Sequence, residues 1–126
     1  MRTLAISLGA VAGANARYWV GVLFIRLLPW SFPYGTLFIN VSGSLLLGAF
    51  FAYVNVRYPG ASAARLLVAT GFCGAYTTFS TFSYEVLGLT RDGAWGLALL
   101  YIGASLALGL GGVAAGYALG GALTKL

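Results

Sequence analysis

The sequence predicts an all-α integral membrane protein with four transmembrane helices, the third broken near its middle. Three observations carry this prediction. Of the 126 residues, 60% are hydrophobic and only 7% are charged, whereas a soluble domain carries about 25% charged residues. The mean hydropathy is +0.92. Apolar runs divided by Arg, Pro and Gly recur at lengths close to the roughly 20 residues that cross a bilayer as a helix.

The first span covers about Thr3 to Leu28, where Pro29 stops it. Arg2, a short apolar run and "AVAGANA" imitate a signal peptide with its cleavage region, but the apolar pattern resumes after Arg17 and makes one full span. The second runs from about Tyr34, after Pro33, to Val56, and Pro59 and Gly60 punctuate the next connection. The third spans about Ala64 to Leu89 and the fourth about Ala94 to Leu123, joined by "TRDG". Short connections leave no room for a soluble module, so residues 1–126 form one transmembrane domain.

Charge sets topology and excludes partners. Seven Lys and Arg against two acids give a formal charge of +5. These bases stand singly at the ends of apolar runs, which suits phospholipid headgroups and provides no basic stripe for nucleic acid. Four spans place Arg2, Arg57, Arg65 and Lys125 on one side, and Arg26, Arg91 and Asp92 on the other. That bias is weak enough for insertion in either direction. A four-helix monomer leaves little lumen, so oligomerisation is expected. Gly112, Gly116 and Gly120, or Gly103, Ala107, Gly111 and Ala115, form small-residue rows that bring helices together, between copies or within one chain.

Polar residues within spans carry the functional signal, because they are costly in hydrocarbon and face protein or water. Arg17 shares a face with Gly13 and Gly21; it either snorkels to the interface or attracts an anion. Thr36 and Asn40 lie one turn apart, beside Gly43 and Ser44, and could hydrogen-bond a solute or a neighbouring helix. In "GFCGAYTTFSTFSYE", Gly71, Gly74, Thr77 and Thr78 weaken the third helix, and unwinding would free the carbonyls of Gly74 and Thr77 for an alkali cation. Phe79 and Phe82 then share a face, with Thr78 and Thr81 beside them, and their electropositive ring edges could solvate an anion. Glu85 follows and could pair with Arg17 or an interfacial base, or guard an aqueous mouth. Tyr101 and Ser105 give the fourth span a polar face.

"GAVAGANARY", "GTLFINVSGSLLLG" and "GFCGAYTTFSTFSYE" resemble, in that order, the signatures of the Fluc/CrcB family of fluoride channels. The match runs over all four spans; it is most specific in the third and mainly one of pattern in the fourth. The resemblance implies a passive, fluoride-selective channel of the prokaryotic plasma membrane that exports fluoride from the cytoplasm. It implies an antiparallel dual-topology homodimer with two pores and a structural sodium ion at the dimer centre. By the same resemblance, Phe79 and Phe82 form an aromatic box, Asn40 is the pore amide, and Thr36 hydrogen-bonds nearby. Thr78, Ser80, Thr81 and Tyr101 to Ser105 are candidates for a polar track. Gly74 and Thr77 coordinate sodium through backbone carbonyls, Arg17 stands near the vestibule, and Glu85 lies at the pore mouth. Gly109 departs from members that carry a second serine there, one turn beyond the first.

Other classes fit less well. A small multidrug exporter shares four spans and dual topology but needs a membrane-embedded carboxylate, and the first span has no acid. A structural subunit would use the glycine rows without a pore. An enzyme lacks parts: the chain has no His, only Asp92 and Glu85 as acids, and a single Cys73 in an apolar run, without a partner base.

Overall fold

The computed structural model describes residues 1–29 and 31–126, and every regular element among them is helical. In order they are α1 (Arg2–Leu27), α2 (Tyr34–Arg57), α3 (Ser62–Arg65), a π-helical segment (Leu66–Cys73), α4 (Gly74–Tyr76), α5 (Phe79–Arg91) and α6 (Trp95–Leu123). α1, α2 and α6 are each long and apolar enough to cross a membrane. Their ends follow local chemistry. Leu28 is extended at φ −126° and ψ 152° because Pro29 follows it. The α5–α6 turn places Gly93 at φ +74°, a left-handed conformation that glycine adopts without steric cost.

Close approaches between backbones fix the packing. A Cβ on Gly116 would run into the Leu45 carbonyl, and one on Gly120 into that of Ala49; one on Gly112 would lie 3.0 Å from the Val41 carbonyl. The constant sequence offset makes α2 and α6 parallel neighbours in van der Waals contact. This glycine row therefore closes a seam inside the chain. A Cβ on Gly103 or Gly111, in the other small-residue row, would meet no atom of another element within 4 Å, so both positions face outward.

α1 packs on the third segment in the same way. Gly9 and Gly13 meet the backbone of Leu67 and Phe72, and a Cβ on Gly71 would lie 2.6 Å from the Ile6 carbonyl. Farther along, Arg17 reaches Thr77, so these two segments also run parallel. Gly35, opening α2, lies beside Gly21 and Phe24 near the end of α1. α1 and α2 are thus antiparallel, and the start of α1 lies at the same end of the bundle as the finish of α6.

The interior is small. Ile39, Ala52, Val54, Cys73, Tyr76, Ala98 and Tyr101 form its apolar part, whereas Leu99, Leu106, Leu110 and Leu119 on α6 are each more than half exposed. Apolar surface on this scale belongs against lipid or another protein surface.

Candidate functional site

The site is organised by two residues with extended backbone. α4 ends at Tyr76; Thr77 has φ −78° and ψ 159°, Thr78 has φ −152° and ψ 118°, and α5 begins at Phe79. Three side chains hold this geometry. Asn40 on α2 pairs with Thr78 as a neighbouring strand would: its Nδ2 donates to the Thr78 carbonyl at 3.1 Å, and the Thr78 N–H donates to its Oδ1 at 2.8 Å. Thr78 caps α5, its Oγ1 accepting from the Thr81 N–H at 3.2 Å. Below the interruption, the Thr77 hydroxyl donates to the Cys73 carbonyl at 2.9 Å.

These bonds release two carbonyl oxygens. In an uninterrupted helix the Thr78 N–H would donate to the Gly74 carbonyl and the Thr81 N–H to that of Thr77. Both donors are instead committed to side chains, Asn40 and Thr78. Among the described residues no group of three or more His, Cys, Asp or Glu could hold a metal; the Gly74 and Thr77 carbonyls are hard oxygen donors of the kind an alkali cation takes. The Thr77 oxygen also receives Arg17 Nη1 at a long 3.4 Å and keeps a second lone pair.

Arg17 therefore contacts the interruption rather than Glu85. The Glu85 carboxylate, on the wall of a cleft, accepts two hydroxyl protons: Thr36 Oγ1 donates to its Oε1 and the Tyr101 hydroxyl to its Oε2, each at 2.7 Å. Tyr101 is fully buried. Its ring packs on Phe82 with centroids 5.1 Å apart and meets Phe32 edge-on at 5.4 Å. Phe79 and Phe82 are 5.7 Å apart and tilted by 39°. Phe79 is 79% exposed in the single chain, so its ring is turned outward.

Two clefts meet at Thr78. One, of about 600 Å³, is lined by Arg17, Thr36, Thr81, Glu85 and Asp92. The other, of about 350 Å³, is lined by Asn40, Gly74, Thr77, Phe79, Phe82, Ser105 and Gly109. Ser105 Oγ is buried without a hydrogen-bond partner among the described residues. Near Gly109 the closest atom to an added Cβ is Ser44 Oγ at 4.0 Å, and that hydroxyl donates to the Asn40 carbonyl at 2.7 Å. The Ser80 hydroxyl lies 3.3 Å from that of Thr78. Sequence reading missed the tie between Ser42 and the buried Tyr76, whose hydroxyls are 2.9 Å apart. It also missed the π-helical segment before the interruption; no pairwise sequence signal marks either one.

Fold and site define a multi-pass membrane protein in which two extended residues between α4 and α5 gather hydroxyls, one amide and two aromatic rings between two clefts. The chain belongs to the family described as CrcB-like protein, Camphor Resistance (CrcB), whose profile matches residues 4–117. A protein of Acidobacterium capsulatum is 48% identical over 110 residues, covering 87% of this chain and 88% of its own. One from Nitrobacter winogradskyi is 45% identical over 113 residues, 90% of each chain. Another, from Rhodopseudomonas palustris, is 43% identical over 124 residues, 98% of this chain and 100% of its own. All three are described as the fluoride-specific ion channel FluC, a channel and not an enzyme. With these bacterial relatives and its apolar helices, the chain is a multi-pass protein of a prokaryotic cell membrane.

Proposed function

We propose that the chain is a passive fluoride-selective channel that carries fluoride out of the cytoplasm down its electrochemical gradient. The observation that carries this reading is the Asn40–Thr78 pairing, which opens the helix where hydroxyls and phenyl rings converge. Fluoride is small and strongly hydrated, so its path must replace water with donors and stay too narrow for chloride. Thr36, Ser80, Thr81, Tyr101 and Ser105 supply hydroxyls, and Asn40 supplies the amide proton not given to Thr78. Phe79 and Phe82 present ring edges that solvate an anion without trapping it. Arg17 raises the local anion concentration in its cleft.

In this reading two chains associate as an antiparallel dual-topology homodimer, giving two pores. The outward-facing Gly103 and Gly111 on α6 let the backbone of a second copy approach closely, and the outward-turned Phe79 would lie on such a contact. A sodium ion at the dimer centre would be held by the Gly74 and Thr77 carbonyls of each copy, oxygens whose helical N–H donors are committed to side chains instead. When bound, it supplies a fixed positive charge that ties the two interruptions together. The third segment then crosses the membrane as one pass broken at Thr77 and Thr78.

Purified protein in liposomes, under a potassium–valinomycin potential, should release fluoride to an electrode and retain chloride. Phe79→Ile and Phe82→Ile should each slow that release while leaving the dimer intact; unchanged release in both removes the aromatic-ring assignment. Silence toward both ions from folded, dimeric protein would favour a structural subunit. A C-terminal tag should label from both faces of the membrane in a population of cells, and labelling from one face alone would exclude dual topology.

A further inference from the structure

α1 carries a polar group on the side turned away from the rest of the chain. Gly9, Gly13 and Arg17 face the third segment, and Asn15, two residues from both Gly13 and Arg17, lies about 200° round the helix from each. It is exposed. One of its amide protons goes to the Val11 carbonyl within α1 at 2.7 Å, which leaves the second proton and Oδ1 without a partner among the described residues. α1 runs from Arg2 to Leu27, so Asn15 stands at its middle and hence at mid-depth in the bilayer. Lipid tails offer that amide no partner.

The side chains around it form a seam. Leu4, Leu8 and Val11 precede Asn15, and Tyr18, Val22 and Ile25 follow it, at steps that alternate between four and three residues. That spacing keeps one stripe of a helix against another along its whole length. Val22 is half-buried, and the other five flanking side chains are each more than half exposed. With three positions on either side of the amide, the row reads the same in both directions. α1 and α6 do not touch among the described residues, so this seam is separate from the outward-facing Gly103 and Gly111.

We propose that the outer face of α1 is a second self-association surface, on which two copies of this chain pair antiparallel about Asn15 and join one dimer to another. The inference rests on the dual-topology reading and goes beyond it. A primary amide holds both a donor and an acceptor, so it is complementary to a copy of itself: the free Nδ2 proton of each Asn15 goes to the Oδ1 of the other. In an antiparallel pair only the midpoint of a seam meets its own counterpart. Val11 then faces Tyr18, Leu8 faces Val22 and Leu4 faces Ile25. A single Asn among apolar seam positions fixes register in coiled coils by the same means. Arg17, on the opposite side of α1, keeps its contact with the Thr77 carbonyl, so the pairing leaves the interruption undisturbed.

Copies per assembly should be counted in liposomes by single-molecule photobleaching of fluorescently labelled protein, as the ratio of protein to lipid rises. The parent is expected to pass from two copies to four. Asn15→Leu, which keeps the seam apolar, should need roughly tenfold more protein to do so, the factor that an interhelical amide hydrogen bond carries in a membrane. Asn15→Gln retains both amide groups and should lose less. Val11→Cys mixed with Tyr18→Cys should form a disulfide between copies under mild oxidation, in which the buried Cys73 takes no part. Cross-linking of Val11→Cys to itself alone would overturn the antiparallel register. A leucine variant that assembles as the parent does would overturn the proposal and leave this face to lipid. Fluoride efflux should be unchanged in Asn15→Leu, and its loss would overturn the separation of this seam from the pore. A parent that passes from one copy to two, with leucine shifted as before, would support pairing through α1 and count against the dimer of the channel reading.

Discussion

Gly116→Leu is expected to leave little or no folded protein. The Cβ of any larger residue would overlap the Leu45 carbonyl, and the space beside it offers no escape, since the Ala49 backbone nitrogen lies 3.0 Å away. Both obstacles are backbone, held in α2 by its own hydrogen bonds, so relief requires the two helices to separate. Separation would open the seam that Gly112, Gly116 and Gly120 close along α6. Overpacking costs about 1–3 kcal/mol where side chains can adjust, and more where they cannot. Native stability is about 5–15 kcal/mol in all. Size-exclusion elution of detergent-extracted protein should therefore lose its monodisperse peak. Gly111→Leu lies on the same helix with open space beyond it and should keep the fold, so that any change in its elution reports association between copies. A Gly116→Leu protein as monodisperse and heat-resistant as its parent would mean that α2 and α6 do not meet along this row.

The contrast between the two rows marks where sequence stops being informative. Spacing identifies Gly116 and Gly111 alike as close-approach positions, because both belong to rows that repeat every four residues. Which row meets α2 depends on the rotation of α6, and that follows from contacts with residues as distant in the chain as Val41, Leu45 and Ala49. The ends of the long helices were legible because local chemistry sets them: Pro29 forces Leu28 out of the helix, and Gly93 alone suits its turn. Weakness near Thr77 was legible from its glycines and hydroxyls. The agent that opens the backbone there was not, since Asn40 acts across 38 positions. Glu85 shows the same limit. An acid beside an interior arginine suggests an ion pair, but two buried hydroxyls, 49 and 16 positions away, reach it instead.

Asn40→Ala is expected to abolish fluoride release and to lower thermal stability as well. The substitution deletes both hydrogen bonds to Thr78 and leaves its N–H and carbonyl unmet in a part-buried site. Each unmet group costs about 1–3 kcal/mol. The cheapest repair is local: the Thr78 N–H can return to the Gly74 carbonyl, continuing α4 toward α5. That repair takes up the Gly74 carbonyl and turns the Thr78 and Thr81 hydroxyls away from their present positions. Asn40→Asp separates holding the backbone from solvating the anion. Its carboxylate still accepts from the Thr78 N–H, but it has no amide proton and brings negative charge to the anion's cleft. It should retain more of the parent's melting temperature than alanine does, yet release no fluoride. Melting curves and liposome efflux on the three proteins test both parts. Efflux from Asn40→Ala at the parent's rate would detach the Asn40–Thr78 pairing from conduction. Equal melting temperatures for alanine and parent would show that the interruption persists without the pairing.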